Sequence, residues 1–414
     1  MVFGSKPGLE RMEHLLRVMG NPERSLRVIH VAGTNGKGSV AAMTASVLQE
    51  AGYSVGLYTS PHLSDYFERF LLNGRPMAKE RFAELVSDMK AIAERINEET
   101  GDHPTVFETL TAMMYRYFAE EGIDWLVQET GLGGRLDATN LTEAELAVIT
   151  TIGHDHLEIL GSSLEDVAFE KAGIIKKNAL VVTGIKEDSL LKVIKQRVSE
   201  ENAKLITVKG IEYLGSDLSG TSFSVDGYTF KTSLIGEHQA HNGALVYGIV
   251  KALEEKGVVV PLESFAIGLL NTKWPGRLEV IQKRPLVVLD GAHNPEGVIA
   301  LKSSLCIFPR KRLIMVVGIL KDKQREEMLK EMLPLADLVI YTKPSSMRAS
   351  LAEEVLEISK KISSVPCLAV SEPSLALEQA IAKADEEDMV LVWGSLYLIG
   401  ELRSVWFEQE FTIS

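Results

Sequence analysis

Short apolar runs alternate along this chain with longer segments in which apolar residues return every third or fourth position. LRVIHVAG (26–33) reads as a strand, TNGKG as a turn, and SVAAMTASVLQEAG (39–52) as an amphipathic helix closing on a glycine stop. SVGLYTSP (54–61) is a second strand. Helical spacing covers 79–99 and 107–121, and WLVQETG and AELAVITTIG read as buried strands. Strands alternating with helices imply crossovers and a parallel sheet. The stretch 204–236 breaks that rhythm, because its alternating residues and the Asp226-Gly227 turn predict an antiparallel meander. Helical spacing returns over 238–255 and 263–270. Strand and helix patterns then alternate again from PLVVLDG to MVLVWGS, predicting a second, smaller doubly wound α/β unit. Trp-Pro-Gly and Arg-Pro punctuate the join, so the expected division is 1–271, a linker over 272–284, and 285–414.

Composition narrows the class. At 414 residues the chain exceeds one ordinary core, and 45% hydrophobic with 24% charged residues is the balance of a soluble globular protein, which excludes fibre and disorder. The 44 basic residues against 57 acidic ones leave a net charge of −13, which repels a polyanion and argues against a nucleic acid partner. Cys306 and Cys367 are too few for a disulfide framework or thiolate metal site and are expected as buried core thiols. The start, MVFGSKPGLERMEHLL, lacks a secretory apolar core, and no stretch approaches the roughly 18 apolar residues of a membrane span. A cytoplasmic protein with no membrane partner is expected.

The candidate chemistry begins at GTNGKGS (33–39). A strand, a glycine-rich turn and a helix start bring backbone N–H groups and a helix dipole to one point, an arrangement that binds phosphate. Asn35, Gly36, Lys37, Gly38 and Ser39 form the candidate cradle. Lys37 is suited to the β- and γ-phosphates of ATP and Ser39 to a magnesium ion. The strict pattern G-x-x-x-x-G-K-[ST] fails, because Val31 occupies its first glycine position and Gly38 stands where its hydroxyl residue belongs.

Read whole, GTNGKGS resembles the nucleotide turn of the Mur ligase superfamily, and especially of its folylpolyglutamate synthase and dihydrofolate synthase branch, where a glycine follows the lysine. The likeness continues through YTSPHL, ERFLLNG, TVFETLTA, QETGLGGRLDATN, ITTIGHDHLEILG, EKAGI, GEHQAHNGALV, WPGRLE, LDGAHNP and WGSLYLIGELR. It implies a P-loop-containing, Mur-ligase-like central domain with a parallel sheet, carrying ATP, plus a smaller Rossmann-like C-terminal glutamate-ligase domain. It also implies a monomer.

The resemblance assigns further residues. Ser60, Glu129 and His156 match magnesium ligands, with Ser39 beside them and two metal sites expected; Asp155 would orient the His156 ring, and His154 receives no role. Thr105, Phe107 and Glu108 fall on a pterin-contacting stretch, and Leu136, Asp137 and Ala138 on a pteroate-binding turn. Lys171 matches a lysine that carbon dioxide converts to a carbamate. Ser162 and Glu165 stand in capping-box spacing upstream of it, placing Lys171 inside a helix. Asn242, Arg277, Asp290 and His293 match nucleotide contacts, Arg277 being suited to phosphoryl charge. Read without the resemblance, Ser60 opens a turn before Pro61, Phe107 is a core helix residue and Lys171 is a surface lysine.

The implied activity is ATP-dependent joining of L-glutamate to a folate or dihydropteroate carboxylate through an acyl phosphate, with Lys37, Lys171, His156 and Arg277 as catalytic residues. The alternatives are a Mur-type ligase acting on another carboxylate, against which LDATN argues, and a nucleotide-binding regulator without catalysis, which the intact Glu129, His156, Lys171 and Asp290 disfavour. A nucleic-acid ATPase lacks the basic, aromatic-rich stripe it would need.

Overall fold

The computed structural model describes residues 8–413, with side chains as far as 407. The expected lack of a leader rests partly on residues 1–7, outside the described residues. Every position of the strand Val28–Ala32 is buried, as both faces of a covered parallel strand require. It lies between Trp125–Glu129 and Leu146–Ile149 in an eight-stranded sheet. Val55–Tyr58, Leu180–Thr183 and Lys204–Thr207 extend the parallel set, and the hairpin Phe70–Leu72 and Arg75–Pro76 closes the other edge antiparallel.

Two expectations change here. Lys204–Thr207 does not open the meander; it pairs in parallel with Leu180–Thr183 at the sheet edge. The meander proper is Glu212–Asp217, Gly220–Val225 and Tyr228–Thr232, turning at Asp226-Gly227 as predicted.

The helix Lys37–Glu50 is buried on nearly all sides because two helices, Glu237–Glu255 and Leu262–Asn271, cover it. The approach is close: a β-carbon on Gly268 would lie 2.5 Å from Val47 Cα, and Ser46 Oγ donates to Gly268 O at 2.7 Å.

The second unit is a six-stranded sheet ordered Glu279–Lys283, Leu286–Asp290, Met389–Trp393, Leu313–Val317, Leu338–Tyr341 and Cys367–Ala369. Five strands are parallel, and the first is an antiparallel edge. Alternate residues pack on opposite faces, Val288, Met315 and Leu391 on one and Val287, Ile314 and Val390 on the other, which makes the unit doubly wound. The linker is therefore shorter than expected, since Glu279–Lys283 is ladder rather than connection.

Cys306 is exposed and Cys367 half-buried, so neither is the core thiol expected; both are free. Cys306 lies in the short helical turn Leu305–Ile307, where Leu305 takes the buried position. Among the described residues no helix is long and apolar enough to cross a membrane.

Candidate active site

Both parallel sheets turn their strand C-termini toward one cavity of about 1180 Å³, where open α/β sheets bind ligands. Its floor includes the glycine-rich turn 33–39. Gly36 sits at φ +83° before the helix Lys37–Glu50, and a β-carbon there would come 2.7 Å from Asn242 Oδ1. Gly38 answers a packing demand, because its β-carbon would lie 2.6 Å from Trp274 Cζ2. The deviation from the strict motif thus makes room for a linker indole. Asn35 is fixed by its N–H donating to Thr151 Oγ1 at 2.9 Å and its carbonyl accepting from Thr150 Oγ1 at 2.7 Å. Lys37 Nζ lies 3.8 Å from Glu129 Oε1 and donates to Thr34 O at 3.3 Å.

Glu129 ends its strand wholly inside the protein. Burial raises its pKa, opposed by Lys37, the Ser60 N–H and Arg277. The Ser60 N–H donates to Glu129 Oε2 at 3.2 Å, so two of the metal candidates meet directly, and Ser39 is buried on the adjoining helix turn. His156 lines the same cavity from a backbone at φ +54°, a conformation costly for a non-glycine residue and concentrated at functional sites. Among the described residues no three His, Cys, Asp or Glu side chains group as a self-sufficient metal cage. A buried carboxylate with two hydroxyls instead fits magnesium that takes its remaining oxygens from phosphate and water.

Lys171 lies within the helix Leu164–Ala172 and is 3% exposed, so the surface reading fails. The capping residues differ by one from expectation: Ser163 and Asp166 form the box, not Ser162 and Glu165. Lys171 Nζ donates to Gly33 O at 2.9 Å, and burial with the charge of Lys37 lowers its pKa to about 7.

The acceptor candidates line the same cavity, with distinct local duties. Thr105 and Glu108 cap each other at the start of the helix Val106–Glu121, and Arg11 Nη2 pairs with Glu108 Oε1 at 3.0 Å. Phe107 covers Gly131, where a β-carbon would sit 2.4 Å from its ring. Asp137 is buried, its Oδ2 accepting from the Leu132 N–H at 2.7 Å and its Oδ1 from the Thr139 N–H at 3.0 Å. That holds the turn so that Leu136, 39% exposed, projects outward and Ala138 is buried.

The second unit supplies Asp290, His293 and a contact network that sequence reasoning missed. Asp290 accepts from the Leu278 and Ala292 N–H groups, each at 2.9 Å; burial raises its pKa while Arg277 opposes the rise. His293 Nδ1 lies 2.8 Å from Gly291 O, and burial with Lys323 lowers its pKa to about 4. Asn242 Nδ2 donates to Gln239 Oε1 at 2.9 Å. Arg277 lines the cavity beside them.

Asp155 is the junction of the two units. Lys323 Nζ donates to its Oδ1 at 2.7 Å, Asn294 Nδ2 to its Oδ2 at 3.2 Å, and His156 Nε2 lies 3.6 Å away. Burial acts to raise the Asp155 pKa, but Lys323, His156 and His293 outweigh it and bring it down to about 2. Asn35 and Asn294 exchange amide hydrogen bonds at 3.1 and 3.2 Å. His154, left without a role by the motif, docks on Glu296: its N–H donates to Oε1 at 2.8 Å. Asn294 carried one sequence signal, an N-cap before Pro295, whereas Lys323 carried none beyond its place in VVGILKDK.

The chain matches known proteins along most of its length. Residues 31–250 match the Mur ligase middle domain, and residues 276–396 the Mur ligase glutamate ligase domain. The dihydrofolate synthase/folylpolyglutamate synthase of Bacillus subtilis is 39% identical, the match covering 97% of this chain and 95% of that one. A Mycobacterium tuberculosis folylpolyglutamate synthase solved with ADP and AMPPCP superposes with a TM-score of 0.90 at 30% identity, over 97% of this chain and 95% of that chain. Escherichia coli FolC, solved with DHPP and ADP, does so at 0.87 and 28%, over 99% and 95%. Fold and site thus define a Mur-type ligase. The chain belongs to the folylpolyglutamate synthase/dihydrofolate synthase family.

Proposed function

We propose that this chain joins L-glutamate to the carboxylate of a folate or dihydropteroate at the cavity between its two sheets, with ATP consumed through an acyl phosphate. Its class, an ATP-dependent acid–amino-acid ligase, follows from the family. The observation that carries the substrate reading is the single cavity shared by the phosphate turn, Phe107 and the Leu136–Asp137–Ala138 turn, and the Asp290 edge.

In this reading the turn from Asn35 to Ser39 holds the ATP phosphates, Asn242, Asp290 and His293 hold the nucleoside end, and Arg277 meets the charge developing on the transferred phosphoryl group. Glu129, Ser39, Ser60 and His156 hold magnesium, which supplies charge neutralisation on the phosphates when bound. An acceptor carboxylate oxygen bonds to the γ-phosphorus as the bond to the β-phosphate oxygen breaks and ADP leaves with the electron pair. The glutamate amine then attacks the acyl carbon, and phosphate departs. Lys37 stabilises the phosphoryl charge, and the junction at Asp155 keeps water from the acyl phosphate by holding the units together.

Two features support a carbamate on Lys171: its amine is buried, and its lowered pKa leaves much of it unprotonated near neutrality. Amine and carbon dioxide give the carbamate with release of a proton, turning a cation into an oxygen donor facing Gly33. The protein acts as a cytoplasmic monomer, without a nucleic acid or membrane partner.

The test is ADP release with magnesium and L-glutamate, comparing dihydropteroate, tetrahydrofolate and no acceptor. Release with dihydropteroate alone identifies a dihydrofolate synthase, with tetrahydrofolate alone a polyglutamylating enzyme, and with both a bifunctional one. ATP binding with no acceptor-dependent release would sink the substrate reading.

A further inference from the structure

Four arginines line the cavity: Arg69, Arg135, Arg277 and Arg348. Arg135 pairs with Glu170 at 2.8 Å, Arg348 with Asp322, and Arg277 acts electrostatically on Asp290. Like Arg277, Arg69 makes no ion pair among the described residues, and its charge acts on Glu129 as that of Arg277 acts on Asp290. Its neighbour Glu68 is committed elsewhere, accepting from the N–H groups of Leu63, Ser64 and Asp65 at 3.1 to 3.2 Å.

The guanidinium is nevertheless fixed in place. Arg69 Nε–H donates to His62 Nδ1 at 3.0 Å, the His62 ring packs 4.3 Å from Tyr66, and the Arg69 guanidinium lies 5.6 Å from the same Tyr66 ring. The guanidinium also acts on the buried Tyr58 hydroxyl, and Arg69 still lines the cavity with donors for another acceptor. The backbone sets its address: the Thr59 N–H donates to Arg69 O at 3.2 Å, continuing the Tyr58–Phe70 register. Arg69 therefore stands across the strand pair from Thr59, one residue before Ser60, whose N–H bonds Glu129, and its charge acts on that carboxylate. A fixed, unpaired guanidinium beside a phosphate turn is built for an incoming anion. In the ligase reading Lys37 and Arg277 serve the ATP phosphates, which leaves the Arg69 guanidinium for the acceptor carboxylate.

Resting on the ligase reading above, we propose that Arg69, oriented by His62, binds the acceptor carboxylate and presents it to the terminal phosphate of ATP. One carboxylate oxygen stays on the guanidinium while the other bonds to phosphorus, the β–γ bridging oxygen leaving on ADP with its electron pair. His62 is a positioning residue, acting only through Arg69.

Steady-state ADP release tests this. Arg69→Ala should raise the KM for dihydropteroate or tetrahydrofolate roughly 10- to 100-fold, as loss of a charged hydrogen bond implies, with the KM for ATP held within about twofold. Arg69→Lys should fall between, and added guanidinium should restore part of the loss in Arg69→Ala alone. His62→Phe should raise acceptor KM by less, and His62→Asn, which keeps an acceptor for the Arg69 Nε–H, should recover most of it. Fluorescent-nucleotide titration checks that each variant is folded, and Arg69→Lys carries the test if Arg69→Ala is not. An unchanged acceptor KM, or an ATP KM rising in step with it, overturns the assignment. Wild-type protein inert toward both acceptors overturns it together with the ligase reading; active wild-type protein with an indifferent Arg69→Ala overturns this inference alone.

Discussion

Two buried lysines reach the same cavity from opposite units, and their partners give them opposite characters. Lys171 donates to the Gly33 carbonyl at 2.9 Å and makes no ion pair among the described residues; burial first, then the charge of Lys37, outweigh the pull of Asp155 and Asp137 and lower its pKa to about 7. Lys323, its side chain 5% exposed, meets Asp155 at 2.7 Å and forms half of an ion pair spanning the two units. Burial alone decides neither case. A buried amine without a counter-charge becomes a neutral nucleophile, whereas one with a carboxylate becomes a strut.

Removing Lys171 should have the larger effect. Lys171→Ala is expected to lower kcat by about a thousandfold or more while nucleotide still binds, and a small added carboxylic acid should restore part of the rate. Turnover near that of the wild type would dismiss the carbamate. Lys323→Met should be next, lowering kcat/KM by roughly 10- to 100-fold because Asp155 is left buried without its cation. Pairing it with Asp155→Asn in a double-mutant cycle should recover part of that loss; strict additivity of the two changes would deny the strut.

Stability should separate the lysines more gently. The unfolded Lys171 titrates near its ordinary value of about 10.4, so between about pH 7 and 10 the unfolded chain binds a proton that the folded chain does not. Wild-type stability should therefore climb with pH across that window in carbonate-free buffer, and Lys171→Met should flatten the climb in urea titrations. An equal slope in both proteins would refute the assignment. The same comparison predicts that a Lys171 carbamate, followed by carbon-13 NMR with labelled bicarbonate, grows as pH rises through about 7. Gly38→Ala, which disturbs neither lysine directly, should cost about 1–3 kcal/mol by forcing the indole aside, with Trp274→Leu relieving part of it in thermal melts.

Much of this contrast could be read from the residues. The strand and helix alternation located both sheets because covered parallel strands are continuously apolar, and GTNGKGS marked a strand–turn–helix junction because its glycines sit between an apolar run and a helical one. The misjudged segments lie at sheet edges. Lys204–Thr207 and Glu279–Lys283 are set by the neighbour each finds, which a local pattern does not carry. The same limit explains Lys323: its partner Asp155 is 168 positions away, and neither residue's surroundings in the chain announce the meeting. Arg69 was legible as part of ERFLLNG, but its want of a carboxylate appears only once Glu68 is seen capping the loop before it. Cys306 failed for the opposite reason, since a general preference for burial says nothing about one turn of one helix.

The indole of Trp274 on Gly38 has an optical consequence. Of the four tryptophans, Trp125 and Trp393 lie wholly buried in central strands, one in each sheet, where they give a steady background of emission. Trp274 alone rests against the first turn of the helix Lys37–Glu50, whose start is the proposed phosphate cradle. Filling of that turn should alter the emission of this one residue, so the chain carries an unlabelled gauge of nucleotide occupancy, and replacing Trp274 with phenylalanine should silence it.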